Sequence, residues 1–244
     1  MMRLDKYLSE LGAGTRSQIK QEIKKGQVSV NGTTAKDPGQ RIDEEADQVC
    51  FQGRLLRYLR YEYYMLHKPA GCVTACRDKV HRTVMDYLDT DRRDLSPVGR
   101  LDLDTEGLLL ITNDGALAHR LLSPARHVEK TYAAQVEGTL TEEHISLFAS
   151  GLEIGDEKPT APARLVITES GPRSEALLTI TEGRFHQVKR MFAAVGCTVT
   201  YLKRLSMGGL TLDEDLRPGE YRPLKPEELA QLGLCPGPGE NGEN

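Results

Sequence analysis

Gly99-Arg100-Leu101-Asp102-Leu103-Asp104-Thr105-Glu106-Gly107-Leu108-Leu109-Leu110-Ile111 is a polar loop, bounded by two glycines, that runs directly into an apolar segment. The apolar residues predict a buried strand, which the turn sequence Asn113-Asp114-Gly115 ends. Catalytic groups often lie on loops that a rigid strand positions. The loop is therefore the first candidate for a functional site.

The two carboxylates of this loop do not suit a pair that shares one proton. Asp102 and Asp104 are two residues apart, so their side chains point in different directions in an extended or a turned loop. One fits a lone nucleophile or base and the other a hydrogen-bond acceptor that shapes the loop, and the spacing leaves this choice open. An Asx-rich turn with Arg100 paired across it is the structural alternative.

A phosphatase-type aspartyl nucleophile is excluded by the order of the segments. Such a site needs a buried strand before the aspartate pair and a threonine two residues beyond the second aspartate. Here the strand follows the pair, and Thr105 directly follows Asp104.

Two further segments hold candidate functional side chains. His186, Lys189 and Arg190 are spaced i, i+3, i+4 at a strand-to-helix junction, so they share one helix face. A cation near a buried carboxylate keeps it ionised, although a solvated basic helix face is the equally simple interpretation. Tyr132 opens a predicted strand, where it either packs or offers a ring for stacking on a flipped base.

The rest of the chain predicts an α+β protein. Strands are expected at 108–112, 131–136, 176–181 and 199–202, with a helix ending near Gly151 and another closed by Gly196. We expect a mainly antiparallel mixed sheet with flanking helices over residues 61–233. No glycine-rich dinucleotide or P-loop element is present, which disfavours enzymes that use those cofactors.

Residues 1–60 predict a smaller unit of two helices and a hairpin. An apolar pattern predicts a helix over residues 2–11, and Thr15 is a plausible N-cap for a second helix that Gly26 ends. Asn31-Gly32 predicts a tight hairpin turn. The sheet is expected to end near Phe51, with a linker over residues 52–60. At the other end of the chain, residues 234–244 predict a disordered acidic tail rich in Gly and Pro.

Net charge alone argues against a nucleic-acid partner. The 244 residues carry a net charge of −4 and the pI is about 5.9. The acidity is local, however: residues 211–244 hold 3 basic and 8 acidic side chains, whereas residues 1–60 hold 11 and 8. Residues 184–204 hold five basic side chains and no acidic one. Local positive potential attracts phosphate, so a nucleic-acid partner stays open.

Other features of the sequence predict a cytoplasmic protein. The longest strongly apolar run, residues 108–111, is far shorter than the roughly 20 residues that cross a bilayer. The N-terminus lacks a signal-peptide core. The five cysteines are an odd number without metal-type spacing, which predicts free thiols.

Taken together, these segments resemble the bacterial ribosomal pseudouridine synthases, specifically the small-subunit RsuA type, over nearly all of residues 1–232. The N-terminal motifs Arg3-Leu4-Asp5-Lys6-Tyr7-Leu8, Arg16-Ser17 and Val28-x-Val30-Asn31-Gly32 look like an S4 RNA-binding domain. The loop at 99–107 looks like the catalytic loop of the family. Its remaining motifs resemble Lys130-Thr131-Tyr132, residues 182–192 and Leu205-x-Met207-Gly208.

The resemblance implies isomerisation of a flipped-out uridine, with no metal and no cofactor. It assigns Asp102 as the nucleophile, Tyr132 as the active-site aromatic residue and Lys189 as the cation paired with the aspartate. The expected substrate pocket consists of Arg100, Leu205, Arg184 and His186. The expected RNA-binding residues are Arg3, Lys6, Arg16, Ser17, Lys20, Lys24, Lys25 and Arg190.

The resemblance also implies a target, which is one uridine of 16S rRNA, of the uridine-516 type. The expected partner is ribosomal RNA or the assembling small subunit, bound by a monomer. Two alternatives are a 23S rRNA pseudouridine synthase of the same family and a non-catalytic S4-domain factor that binds the ribosome.

Overall fold

The computed structural model describes residues 1–44, 46–56, 60–90 and 92–234, and the chain divides into two compact units. The first unit comprises Met1–Glu62 together with Asp89–Leu95. The second comprises Tyr63–Leu88 and Ser96–Asn244. Of the tail expected at 234–244, Leu234 alone is described, and the remainder lies outside the described residues.

The first unit packs two helices against short strands. Its elements are β1 (Met2–Arg3), α1 (Leu4–Glu10), α2 (Arg16–Lys24), β2 (Val28–Val30), β3 (Thr33–Thr34), β4 (Arg41–Ile42), β5 (Val49–Phe51) and β6 (Arg54–Leu56). β1 pairs with β4, and the other strands form a sheet in the order β3-β2-β5-β6. The buried core of the unit includes Leu4, Leu8, Ile19, Ile23 and Val28.

Local sequence explains the two best-predicted features of this unit. The backbone N–H of Gln18 donates to the hydroxyl of Thr15, and the Gln18 side chain accepts from the Thr15 N–H, which completes a capping box. Asn31 and Gly32 both have positive φ, 51° and 77°, as the two-residue turn between β2 and β3 requires.

Two sequence expectations for the first unit need correction. The first helix begins at Leu4 and not at residue 2, because Met2–Arg3 pairs as a strand with Arg41–Ile42. Residues 54–56, assigned to the linker, form β6, which pairs with β5 across a second two-residue turn with positive φ at Gln52 and Gly53. Linker residues 57–59 lie outside the described part of the chain.

The second unit is built on one mixed, mainly antiparallel sheet, and the predicted α+β class is confirmed. Its strands are β7 (Tyr63–Lys68), β8 (Ser96–Pro97), β9 (Glu106–Thr112), β10 (Lys130–Glu137), β11 (Arg164–Glu169), β12 (Arg173–Ile180), β13 (Thr198–Met207), β14 (Leu210–Thr211) and β15 (Tyr221–Pro223). Its α-helices are α3 (Gly115–Leu122), α4 (Glu142–Ser150), α5 (Gln187–Ala194) and α6 (Pro226–Gln231).

The strand order of this sheet is β11-β12-β10-β13-β9-β7-β15, with β14 beside β13 and β8 beside β9. β13 and β9 run parallel, whereas the other pairs are antiparallel. One apolar cluster includes Phe148, Leu178 and Phe192, and another includes Met65, Leu110 and Leu117. In the described part of the chain, no helix is long and apolar enough to cross a membrane.

Gly107 permits the parallel contact between β9 and β13. It pairs with Arg204, and its φ is 107°. A Cβ at this position would lie 2.2 Å from the carbonyl oxygen of Arg204. Only glycine allows this approach, which brings the end of the 99–105 loop next to the middle of β13.

Candidate active site

The loop at residues 99–105 is held in place by the segment that follows β7. The hydroxyl of Thr74 donates to the carbonyl of Leu101 at 2.8 Å and accepts from its N–H at 3.1 Å. The N–H of Gly71 donates to the carbonyl of Leu103 at 2.7 Å. The loop backbone is therefore fixed on both sides of Asp102.

Lys68 lies beneath this loop and is completely buried. Its ammonium donates to the carbonyl oxygens of Thr105 at 2.8 Å, Pro69 at 3.0 Å and Leu103 at 3.4 Å. Burial lowers the pKa of Lys68 from its ordinary value. Sequence reasoning missed this residue, although a lysine directly after an apolar strand and before Pro69 was an available signal.

Asp102 lines a cavity of about 430 Å³, a size typical of ligand sites. His186 Nε2 lies 3.6 Å from one carboxylate oxygen of Asp102, and Lys189 Nζ lies 3.6 Å from the other. Tyr132 lines the same cavity. Three of the expected site residues therefore meet Asp102 or share its cavity, His186 and Lys189 from one segment and Tyr132 from another.

Asp104 occupies a different environment from Asp102. Its side chain is 71% exposed, compared with 28% for Asp102, and it does not line the cavity. Lys189 Nζ donates to Asp104 at 2.5 Å, and this hydrogen bond lowers the pKa of the Asp104 carboxyl. Lys189 is thus bound more closely by Asp104 than by Asp102, which the sequence did not indicate.

The cavity lies over one face of the sheet and beneath the loop before α5. Arg100 and His186, both expected in the pocket, line it. Its sheet face is formed by β10, β12 and β13. The side chains contributed by these strands are Lys130, Tyr132, Ile180, Leu202 and Arg204.

The mouth of the cavity carries a stacked pair of rings. Phe185 and His186 lie with ring centroids 3.8 Å apart and planes inclined by 19°. Phe185 is 71% exposed, and both residues line the cavity. His186 has φ 48°, a left-handed conformation uncommon for a residue other than glycine, so the turn into α5 is strained where it reaches Asp102.

Arg184 and Arg190 bind carboxylates and carbonyl oxygens of the protein around the turn into α5. Arg184 contacts Asp156 and Glu182, and donates to the carbonyls of Lys158 and Pro159. The nitrogens Nε, Nη1 and Nη2 of Arg190 donate to the Phe185 carbonyl, the Ile154 carbonyl and the Asp156 carboxylate. Arg184 lines the cavity as expected, but the guanidinium of Arg190, expected to contact RNA, is occupied within the protein.

Leu205 differs from the expectation of an apolar pocket wall. It is not among the residues that line the cavity, where Leu202 and Arg204 represent β13. The pairing of β10 with β13 shifts between Thr131, which opposes Ser206, and Tyr132, which opposes Arg204. Leu205 is therefore the extra residue of a β-bulge, which re-aims the side chains on either side of it.

Among the expected RNA-binding residues of the first unit, some are held in ion pairs and others are exposed without one in the described part of the chain. Arg3 is ion-paired with Asp5 at 2.9 Å, Lys25 with Glu22 at 2.8 Å, and Lys6 with Glu10 at 3.5 Å. The remaining members of the set, on α2, are exposed, and no ion pair involves them in the described part of the chain. These residues are Arg16, Ser17, Lys20 and Lys24.

Comparison with known proteins connects both units to established families. A family model for the S4 domain matches residues 2–54, and one described as RNA pseudouridylate synthase matches residues 62–194. Among the described residues, no group of three or more His, Cys, Asp or Glu side chains could hold a metal ion.

Individual relatives cover nearly the whole chain. A Bacillus subtilis (strain 168) protein named uncharacterized RNA pseudouridine synthase YtzG is 46% identical over 95% of this chain and 98% of its own. The ribosomal small subunit pseudouridine synthase A of Escherichia coli (strain K12) is 43% identical over 95% of this chain and 100% of its own. A crystal structure of a pseudouridylate synthase is 40% identical, with a TM-score of 0.67 over 95% of this chain and 100% of that chain.

Proposed function

Because the chain belongs to the RNA pseudouridylate synthase family and carries an S4 domain, we propose that it isomerises one uridine of ribosomal RNA. It is a pseudouridine synthase, and the reaction class is isomerisation. Relatives named ribosomal small subunit pseudouridine synthase A, in Yersinia pestis and Escherichia coli, support a target in the RNA of the small subunit. We propose that this target is one uridine of 16S rRNA, of the uridine-516 type.

The position of Asp102 is the observation that carries this proposal. A carboxylate that lines a cavity large enough for a nucleoside, with the Lys189 ammonium and the His186 imidazole each 3.6 Å away, is suited to act on a sugar or a base. Asp104 is less suited, because it is exposed and lies outside the cavity. We therefore assign the role of nucleophile to Asp102.

The residues around Asp102 have distinct proposed roles. Lys189 compensates the charge of the carboxylate, and Asp104 orients Lys189 by its 2.5 Å hydrogen bond. Tyr132 provides a ring on the sheet face of the cavity, on which an extruded uracil stacks. Arg100 is exposed at the rim, where its charge suits a backbone phosphate.

Access to the glycosidic bond requires that the target nucleotide leaves its stack. Extrusion costs a few kcal/mol, which stacking and phosphate contacts offset. The buried walls of the cavity keep the detached uracil from water until the C5–C1′ bond forms. The reaction neither oxidises nor reduces the substrate, so the proposal includes no redox cofactor. The proposal also assigns no step to a metal.

We propose that the exposed cations of α2 grip the RNA backbone outside the cavity. Lys20 and Lys24 project from this helix without ion pairs in the described residues. The proposed partner is ribosomal RNA or the assembling small subunit in the cytoplasm, and the monomeric state stays a prediction.

The test of Asp102 is a pair of isosteric substitutions in one loop. We expect Asp102→Asn to abolish release of tritium from C5-labelled uridine in ribosomal RNA, while RNA affinity stays within about tenfold. The matched control, Asp104→Asn, should retain measurable turnover, because it removes only the negative charge that orients Lys189 and leaves Asp102 intact. Turnover of the Asp102→Asn variant at the wild-type rate would refute the assignment.

The target is tested by mapping pseudouridines in ribosomal RNA from cells that lack this protein. Loss of a single site in 16S rRNA, restored by the wild-type gene and not by the Asp102→Asn variant, is the expected result. Loss of a site in 23S rRNA would overturn the proposed target. An unchanged map would overturn the proposed activity on ribosomal RNA.

A further inference from the structure

Two buried cations, Lys130 and Arg204, line the cavity together with Asp102. Lys130 is 8% exposed and Arg204 is 2% exposed. Lys130 and Tyr132 lie two residues apart on β10, and Arg204 opposes Tyr132 on β13, so all three belong to the same sheet face. Sequence reasoning gave neither cation a role.

Both cations lack the anionic partner that buried charges ordinarily have. Lys130 Nζ donates to the carbonyl of Val128 at 2.9 Å, and Arg204 Nε donates to the carbonyl of Leu108 at 2.8 Å. Arg204 Nη2 is buried without a hydrogen-bond partner, and no ion pair involves either cation in the described part of the chain. A buried charge without a counter-charge is costly and is therefore typical of a binding site.

The other charged groups of the cavity do not neutralise this pair. Asp102 faces His186 and Lys189. Glu182 is held by Arg184 and by the side-chain amide of Gln187. Burial and the charge of Arg204 both lower the pKa of Lys130, as expected for two like charges close together in a partly dry site.

We propose that Lys130 and Arg204 form an anion-binding site on the sheet face of the cavity, which holds an anionic oxygen of the flipped uridine. The buried hydroxyl of Thr105, which also lacks a partner, lines the same cavity and can add a hydrogen bond to this oxygen. The proposal rests on the proposed function, since the occupant is the substrate of the reaction. It assigns the pair a role that neither Asp102 nor Tyr132 can perform.

The anionic oxygen has two possible sources in the same nucleotide. One is its phosphate group, which is charged before the reaction begins. The other is the uracil ring. When the C1′–N1 bond breaks, its electron pair stays on the base and charge spreads to O2 and O4. Formation of the C5–C1′ bond consumes this pair, and the proton lost from C5 is balanced by the one gained at N1.

The first test measures stability and activity in the full-length protein. Lys130→Met removes one of two like buried charges, so we expect the thermal midpoint to stay constant or rise, while kcat/KM falls about tenfold or more. Arg204→Lys keeps the charge but shortens its reach, and should lower kcat/KM as well. Lys203→Met, adjacent on β13 and outside the cavity, is the matched control with near wild-type kcat/KM. Wild-type kcat/KM in Lys130→Met and Arg204→Lys would overturn the proposal.

A second test needs no catalytic turnover and uses inorganic phosphate as the probe. An anion that binds the folded protein raises its thermal midpoint by mass action. We expect phosphate to raise the midpoint of the wild type and of Lys203→Met more than that of Lys130→Met. Equal increases in all three proteins would overturn the anion site. Because this result does not depend on activity, it separates failure of the anion site from failure of the proposed function.

The two sources of the oxygen are separated by binding and rate measurements on Lys130→Met. A phosphate contact predicts weaker binding of uridine monophosphate with unchanged binding of uridine. Charge on the uracil predicts unchanged binding of both ligands and a lower kcat for release of tritium from C5-labelled uridine in RNA. Either pattern supports the site, whereas wild-type values for binding and kcat together would contradict it.

Discussion

At the scale of single residues, the two aspartates of the 99–105 loop differ in surroundings although they are two positions apart. Asp102 faces the cavity, and Asp104 lies outside it and binds Lys189 at 2.5 Å. A lysine between two carboxylates divides its interaction between them. The Lys189 ammonium, which compensates the charge of Asp102, is therefore partly drawn toward Asp104. Its hydrogen bond to Asp104 limits how far the ammonium can move when substrate enters.

The exposed ring of Phe185 leads to a prediction about RNA affinity. Because base–aromatic stacking contributes about 1–3 kcal/mol per base, Phe185→Ala should weaken RNA binding by that amount. The salt dependence of binding should not change, since no cation is removed. Fluorescence anisotropy with labelled RNA at two salt concentrations checks both expectations.

The control for this prediction is Phe185→Tyr, which keeps an aromatic ring and should bind RNA like the wild type. Because Phe185 is 71% exposed, neither substitution should change the thermal midpoint appreciably. Wild-type affinity in Phe185→Ala would show that the Phe185–His186 pair does not stack on the RNA.

Sequence reasoning at this scale found the residue types of the site but not their partners. The motif at 182–192 predicted that His186 and Lys189 share one helix face, and both lie near Asp102. The helix itself begins at Gln187, however, and His186 is the left-handed residue that precedes it. The motif could not show that Asp156 binds Arg184 and Arg190, because Asp156 lies 28 and 34 residues away from them in the chain. Such contacts depend on tertiary folding rather than on local pattern.

At the scale of elements, the junction of β9 and β13 connects the aspartate loop to the cavity. Gly107 and Arg204 are paired residues of two parallel strands. Arg204 also donates to the carbonyl of Leu108, one residue further along β9. A displacement of β9 relative to β13 would therefore move the loop and the buried cation together.

This junction predicts a large effect of adding one methyl group. Gly107→Ala places a Cβ 2.2 Å from a backbone oxygen at a positive φ, so it should destabilise the fold by about 3 kcal/mol or more. Gly115→Ala is the control, because its Cβ meets no atom within 4 Å at the start of α3. The control should leave stability unchanged or raise it by up to about 1 kcal/mol. Urea unfolding of the two variants tests the difference.

The strand β15 and helix α6 are joined by an ion network that predicts a pH dependence. Arg222 donates to Asp213 at 2.7 Å and to Glu228 at 2.7 and 2.8 Å. The hydrogen bond from Arg222 lowers the pKa of Asp213 to about 2. Because the pKa is lower in the folded state, Asp213 stabilises the fold above its ordinary pKa of about 4, and this stabilisation is lost toward pH 2.

We accordingly expect Asp213→Asn to lower the thermal midpoint at pH 7, and this difference from the wild type to shrink between about pH 4 and pH 2. Glu214→Gln removes an exposed neighbouring carboxylate and should show no such convergence. Midpoints measured by circular dichroism across this pH range provide the comparison. A constant difference at all pH values would mean that the Asp213 carboxylate is not the origin.

Elements were predictable where a local signal specifies them. The capping residue Thr15 and the Asn31-Gly32 turn were identified because each has a strong preference of its own. Gln52-Gly53 has a weaker preference for this turn than Asn31-Gly32 has. Residues 54–56, which form β6, were therefore assigned to a linker. The bulge at Leu205 could not be foreseen, because register between distant strands is set by packing.

At the scale of the whole molecule, positive charge lies both on an exposed helix of the first unit and in the buried cavity of the second. The net charge of −4 conceals α2, where Lys20 and Lys24 are exposed and bear no ion pair among the described residues. The buried cations Lys130 and Arg204 differ from these, because salt screens exposed charges far more than buried ones. A protein with a negative net charge can therefore still attract RNA in two ways, through the exposed lysines of α2 and through the buried cations of the cavity.

This distribution predicts how RNA affinity depends on salt. Lys20→Ala combined with Lys24→Ala should reduce the slope of log affinity against log salt by roughly 1.5, since each lost phosphate contact contributes about 0.7–0.9. Lys25→Ala should have a smaller effect, because Glu22 already holds Lys25 at 2.8 Å. Binding titrations over a range of salt concentrations measure the slopes, and an unchanged slope in the double variant would exclude α2 from the RNA contact.

The assignment of Asp89–Leu95 to the first unit has a consequence for synthesis of the protein. Arg92 in this segment is buried and ion-paired with Glu62 at 3.1 Å. On the ribosome, Met1–Glu62 emerges first but lacks this partner until the intervening Tyr63–Leu88 has also been made. The contacts between Met1–Glu62 and Asp89–Leu95 can therefore form only after β7, the first strand of the second unit, has been synthesised.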